Sequence, residues 1–179
     1  PKESDGQYRS DYIGSLDRWQ PGRIKQLDMF DASVFGGYIQ SESSPEIITL
    51  GIGGNDVGFG EHIAACAGLG TCSIAIPASV ELGNFAQEVA RLKSKLVETY
   101  SQAKSLNPDA RIYVHGYPVF VQGYGGNCGA NVHLNARETP LIEEGAKYLN
   151  EVIQSAAIEV GVFYIDLTDI LRGKNLCSG

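Results

Sequence analysis

Ile47-Ile-Thr-Leu-Gly-Ile-Gly-Gly-Asn-Asp-Val-Gly-Phe59 joins a short apolar run to a glycine-rich turn, and this junction decides the fold. Ile47 to Leu50 lie between Pro45 and the first glycine, a pattern that reads as a strand buried on both faces of a parallel sheet. Strands of that kind present function at their carboxyl ends. Gly51, Gly53 and Gly54 let the chain turn sharply there and leave Asn55 facing a crevice. The Asn55 side-chain amide then becomes a fixed hydrogen-bond donor. A donor aimed where negative charge develops on a carbonyl oxygen contributes on the order of 3 kcal/mol to an acyl-transfer transition state. The plainer reading is a strand-to-helix turn in which Asn55 or Asp56 caps the next helix.

Outward from this junction, apolar strands alternate with longer stretches of helical period, the pattern of a parallel α/β protein. Phe85, Val89, Leu92, Leu96, Tyr100 and Ala103 recur at three- and four-residue spacing and predict one amphipathic helix. Asn84 is the candidate cap at its start, and Leu106-Asn-Pro-Asp109 stops it. Ile112-Tyr-Val-His-Gly116 reads as the next strand. Ile142, Ala146, Leu149, Ile153, Ala156 and Val160 form a second stripe ended by Gly161, after which Val162-Phe-Tyr-Ile165 returns as a strand. Both stripes read as core. Right-handed crossovers put the strand ends on one edge of the sheet, where Asn55, the Gly116-Tyr-Pro118 turn and Asp166 are placed to meet.

Gly53-Gly54-Asn55-Asp56 after an apolar strand, continuing Val57-Gly58-Phe59, resembles the asparagine block of SGNH (GDSL-type) hydrolases. Arg111-Ile-Tyr-Val-His-Gly-Tyr-Pro118, Lys147-Tyr-Leu-Asn150 and Gly161-Val-Phe-Tyr-Ile-Asp166 resemble later family segments, so the likeness runs from about Glu46 to Cys177. The resemblance implies a three-layer α/β/α fold with a mostly parallel, flavodoxin-like sheet. It also implies ester hydrolysis through an acyl-serine, with Asn55 donating to the oxyanion hole and Gly53, Gly54 and Asp56 supporting the turn. Asp56 is expected to brace it by accepting backbone amides. No cofactor or metal is implied.

The family's nucleophile block, Gly-Asp-Ser, does not occur in this sequence, and neither does its Asp-x-x-His-Pro block. Gly14, Gly22, Gly36 and Gly37 lack the context of the second-block glycine, and Asp169-Ile-Leu-Arg172 has arginine where histidine belongs. The chain is therefore expected to be one SGNH-like domain, residues 1–179, incomplete at both ends. Ser15, in Tyr12-Ile-Gly-Ser-Leu16, is the best-placed serine, but the polar Tyr8-Arg-Ser-Asp-Tyr12 before it reads as a loop, not the strand a nucleophile elbow needs. His62 reads as an exposed residue beyond the glycine turn, His115 as a core or rim residue of its strand, and His133 as a structural loop residue. Asp166 either orients a histidine or caps a helix suggested by Leu167-Thr-Asp-Ile-Leu171, and capping is the favoured reading.

At 179 residues the chain is of single-domain size and long enough to bury roughly two-thirds of its extended-chain surface. A net charge of -7 with scattered Lys and Arg excludes a phosphate-binding face, so nucleic acid is not a partner. A small-molecule, lipid or glycan ester fits better. Four cysteines allow three connectivities; the family resemblance favours Cys66 with Cys72 and Cys128 with Cys177, and hence a secreted protein in an oxidising compartment. There is no Cys-x-x-Cys pair or His-Glu-x-x-His, the spacings that would signal zinc, and no run approaches membrane-spanning length. Residues before Pro45 carry no sustained period; Leu27, Phe30 and Val34 fit a short helix, and Trp19 and Tyr12 read as core or rim aromatics. The resulting function is a secreted carboxylic ester hydrolase, and its rival is a noncatalytic module that keeps the fold without nucleophile and base.

Overall fold

The computed structural model describes residues 45–60, 78–121, 128 and 134–177, with 78–84 described by backbone alone. Ser15, His62, Cys66, Cys72 and His133 lie outside the described residues, as does the whole segment before Pro45. Three strands, Ile47–Leu50 (β1), Arg111–His115 (β2) and Phe163–Ile165 (β3), form one sheet in the order β1-β2-β3. Two helices connect them, Ala78–Leu106 (α1) and Glu138–Val160 (α2). β2 and β3 are parallel, with Tyr113 opposite Phe163, Val114 opposite Tyr164 and His115 opposite Ile165. By clustering of contacts the chain divides into two compact units, residues 1–47 with 101–110, and 48–100 with 111–179.

Both apolar stripes are core. Phe85, Val89, Leu92, Leu96, Tyr100 and Ala103 are all buried on α1, and Ile142, Ala146, Leu149, Ile153 and Ala156 on α2. Val160, at the end of the second stripe, is half-buried. Fully burying an aliphatic side chain is worth about 1.5–3 kcal/mol, so these stripes, rather than helix propensity, hold α1 and α2 in place. The helices pack side by side and run in the same sense: the Phe85 ring lies against Gly145, and Lys93 pairs with Glu159 at 2.9 Å. Parallel helices on one face are what right-handed crossovers between sequential parallel strands produce.

The helix ends show what local sequence controls. α1 begins at Ala78, so Asn84 lies inside the helix rather than at its cap. At the other end the Asn107 N–H and Nδ2 both donate to the Ala103 carbonyl, at 3.2 and 3.3 Å, before Pro108 ends the helix. α2 opens with a capping box: Asn135 Oδ1 accepts from the amides of Arg137 (2.8 Å) and Glu138 (3.2 Å), and the buried Glu138 returns Oε2 to the Asn135 amide at 2.9 Å. Gly161 closes α2 in the left-handed conformation (φ 72°), donating to the carbonyls of Ala157 and Ile158. A disulfide joins Cys128 to Cys177 beside Val121, Leu134 and Ile142.

The segment after β3 departs from the sequence reading. Residues 168–173 form successive turns, Ile170 N–H to Leu167 O, Arg172 N–H to Asp169 O and Lys174 N–H to Leu171 O, where a helix was expected. Gly173 at φ 76° and the exposure of Ile170 explain the difference, since no apolar stripe faces the core to hold a helix there.

Candidate functional site

β1 delivers the chain to a turn built as its glycines require. Gly53 takes φ 110° and packs against Leu92 of α1, a conformation that a side chain rarely adopts. Asn55–Val57 then form one turn of 3-10 helix that Gly58 closes in the left-handed conformation (φ 58°). Its internal bonds run from the Asp56 amide to Gly53 O (3.1 Å), from Gly58 to Asn55 O (3.3 Å) and from Phe59 to Gly54 O (2.9 Å). Val57 is the buried residue of the turn, and Asn55 and Asp56 are exposed. The Asn55 side chain makes no hydrogen bond among the described residues. The backbone amide of Asp56 braces the turn, and its carboxylate, expected to accept backbone amides, accepts no bond among the described residues. Neither residue caps the turn with its side chain.

The other two strand ends come to the same edge. Tyr117, two residues beyond β2, accepts the Gly54 N–H on its phenolic oxygen at 2.9 Å. A Cβ on Gly54 would stand 2.8 Å from Cζ and Oη of that ring, so only glycine fits under it. Tyr117 is itself held by Asn150 of α2, which is 4 % exposed. Asn150 Oδ1 accepts the Tyr117 N–H at 2.7 Å, and Nδ2 donates to Tyr117 O at 2.8 Å and to Thr168 Oγ1 at 3.2 Å. Thr168 belongs to the segment after β3, and its amide is fixed by Asp166 Oδ1 at 2.8 Å. Asp166 thus caps a turn rather than a helix, as an aspartate does when it bonds the backbone two residues on. Gly116 lies in the crook of this network, its N–H donating to Ile165 O at 3.2 Å.

Aromatic packing backs the turn. The Phe59 ring lies 6.0 Å from those of Phe85 and Tyr117 and 6.5 Å from that of Phe120, tilted or edge-on to each. Such contacts are worth about 0.5–1.5 kcal/mol each beyond burial. His115, the last residue of β2, is half-buried; Nδ1 lies 3.1 Å from Gly116 O, and its imidazole covers Gly51, where a Cβ would collide with the ring. Below the edge, Tyr164 has its hydroxyl pushed up to about 12 by burial and, secondarily, by the Asp166 carboxylate. Burial, with lesser effects from Tyr117 and Tyr164, raises Tyr100 further, and its hydroxyl has no partner among the described residues. No cluster of three His, Cys, Asp or Glu side chains able to hold a metal ion occurs among the described residues.

Sequence reading placed Asn55, the Gly116 turn and Asp166 at one edge, and the structure brings these strand ends together. It missed the Tyr117–Asn150 link. Gly116-Tyr-Pro118 had signalled only a turn, and Asn150 stood in a helical segment where spacing alone does not separate a buried amide from a surface one.

Residues 11–177 match the model of the GDSL-like lipase/acylhydrolase family, so the likeness begins well before the segment around Glu46 where it is legible by motif, and it includes Ser15. A lipase of Streptomyces rimosus is 29 % identical over 137 residues, which cover 76 % of this chain and 49 % of that protein. Lipase 1 of Streptomyces coelicolor is 30 % identical over 139 residues, covering 76 % of this chain and 48 % of that protein. The chain thus spans about half the length of the relatives it matches. The crystal structure of the extracellular lipase from Streptomyces rimosus superposes with a TM-score of 0.63 at 26 % identity, covering 75 % of this chain and 55 % of that one. Phospholipase A1 from Streptomyces albidoflavus NA297 gives 0.55 at 26 % identity, with 84 % and 61 % covered. The fold is the three-layer α/β/α arrangement around a mostly parallel sheet that the sequence led us to expect.

Proposed function

The chain belongs to the GDSL-like lipase/acylhydrolase family, and from that premise we propose that it serves a secreted carboxylic ester hydrolase in which Asn55 donates to the oxyanion. The observation that carries this reading is the turn after β1: an exposed amide with no hydrogen-bond partner among the described residues, on a turn tied to the end of β2. In such an enzyme a serine Oγ attacks the ester carbonyl carbon while a histidine takes its proton. The carbonyl oxygen becomes the oxyanion that Asn55 Nδ2 stabilises. Collapse of the tetrahedral adduct expels the alcohol, which leaves with the proton from the histidine, and water then releases the acid by the same two steps. Gly53 and Gly54 shape the turn, and Asp56 ties it through its amide. Lipid, glycan and small aryl esters all suit a neutral oxyanion site of this kind.

Removing one oxyanion donor lowers kcat by about 100- to 1000-fold with little change in KM. Asn55→Ala in the protein carrying this chain should show that pattern on an aryl ester, and unchanged turnover would remove Asn55 from the mechanism. The rival reading is a binding module on the same fold. A fluorophosphonate that labels only activated serines separates the two. A mass shift mapped to Ser15 or another serine identifies the nucleophile, and an unmodified protein supports the module.

A further inference from the structure

We propose that Tyr117 is a positioning residue that acts through Asn55, an inference that rests on the oxyanion reading given above. The bonds inside the Asn55 turn, from the amides of Asp56, Gly58 and Phe59, tie it to itself. Among the described residues, one hydrogen bond from its backbone reaches another strand's end: Gly54 N–H to Tyr117 Oη, 63 positions along the chain, from the residue directly before Asn55. The same side chain meets the far end of the turn, where its ring lies 6.0 Å from that of Phe59. Tyr117 thus grips both flanks of the residue that carries the amide. Its own backbone cannot drift, because Asn150 holds both its N–H and its carbonyl.

Catalytic donors lose efficiency when misplaced by as little as 1 Å, so a group that fixes the turn acts on turnover without touching substrate. Tyr117→Phe keeps the ring and its packing on Phe59 and removes only the acceptor for Gly54. The test compares Tyr117→Phe, Asn55→Ala and the double variant in the protein carrying this chain, with p-nitrophenyl butyrate as probe and amide-proton exchange read at Gly54. With Tyr117→Phe, Gly54 should exchange roughly tenfold faster, the scale of one lost hydrogen bond. kcat should fall about tenfold with KM unchanged, because the contact weakened through the turn, that of Asn55 with the oxyanion, is one realised in the transition state. The double variant should be no slower than Asn55→Ala, the non-additivity expected when one residue works through the other. Asn55→Ala impaired with Tyr117→Phe at wild-type kcat, or losses that add in the double variant, would overturn this inference alone. Wild-type turnover in Asn55→Ala would overturn the oxyanion reading and this inference with it.

Discussion

Replacing Asn150 by leucine tests whether one buried amide holds the site edge together. The side chain is nearly inaccessible and makes three bonds, two to the backbone of Tyr117 and one to Thr168 Oγ1. Leucine has the branching of asparagine but larger methyl groups, so it opens no cavity; the loss counted here is that of stranded polar groups, and any overpacking adds to it. The Tyr117 N–H and carbonyl are backbone groups with nowhere to turn, and each left unpaired costs about 1–2 kcal/mol, while the Thr168 hydroxyl rotates to another acceptor and adds about 0.5 kcal/mol. The total is about 3 kcal/mol, a large fraction of an ordinary folding free energy of about 5–15 kcal/mol. Urea unfolding should show a lower midpoint at unchanged slope, and the thermal midpoint should drop by about 6–12 °C for a domain of this size. Gln154→Ala, an exposed change on the same helix, should stay within about 0.5 kcal/mol of wild type. An Asn150→Leu cost below about 1 kcal/mol would refute the reasoning, because it would mean that water satisfies the Tyr117 backbone equally well.

Gly116→Ala should cost about 1–3 kcal/mol in the same assay, since its Cβ would stand 2.5 Å from the Tyr164 hydroxyl and 2.7 Å from Asn150 Oδ1. Tyr100→Phe should leave stability unchanged or raise it by up to about 1 kcal/mol, because it removes a buried hydroxyl that has no partner among the described residues; a loss of stability would mean that the hydroxyl is bonded in solution. Tyr164, pushed up to about 12, holds its proton more tightly folded than unfolded. Its contribution is therefore complete below the ordinary tyrosine range near 10 and is lost as pH rises through about 12; a spectrophotometric tyrosinate titration of wild type against Tyr164→Phe should show one residue ionising late. Cys128 and Cys177 are 49 positions apart, and opening a loop of that length by a Cys128→Ser, Cys177→Ser pair should cost up to about 4 kcal/mol, measured by denaturant unfolding without reductant.

What could be read from sequence divides along a physical line. Period and punctuation report contacts that every strand or helix of a kind must make. The stripes from Phe85 to Ala103 and from Ile142 to Ala156, the strand at Ile112 and the Gly161 stop were therefore legible, because burial demands apolar residues at fixed spacing. The apolar runs at Ile47 and Phe163 marked strands but not their burial: β1, read as buried on both faces, buries Ile48 and exposes Ile47 and Thr49, and Phe163 and Ile165 of β3 are exposed too. The start of α1 was not legible, since asparagine at a helix start is a preference and not a stop, and Asn84 sits within the helix. The run after Asp166 failed for the opposite reason: Leu167, Ile170 and Leu171 suggest a helix, but Ile170 points to solvent and turns suffice. Long-range polar contacts leave no period at all. Asn55 was found because glycines must surround a turn of that shape, whereas Tyr117 and Asn150 meet only in the folded state, 33 positions apart. The glycine at position 54 carries both kinds of information. Its lack of a side chain was visible in the sequence as turn chemistry, and its physical cause is equally the phenol that lies against it, so the same residue marks the turn and records the partner that holds it.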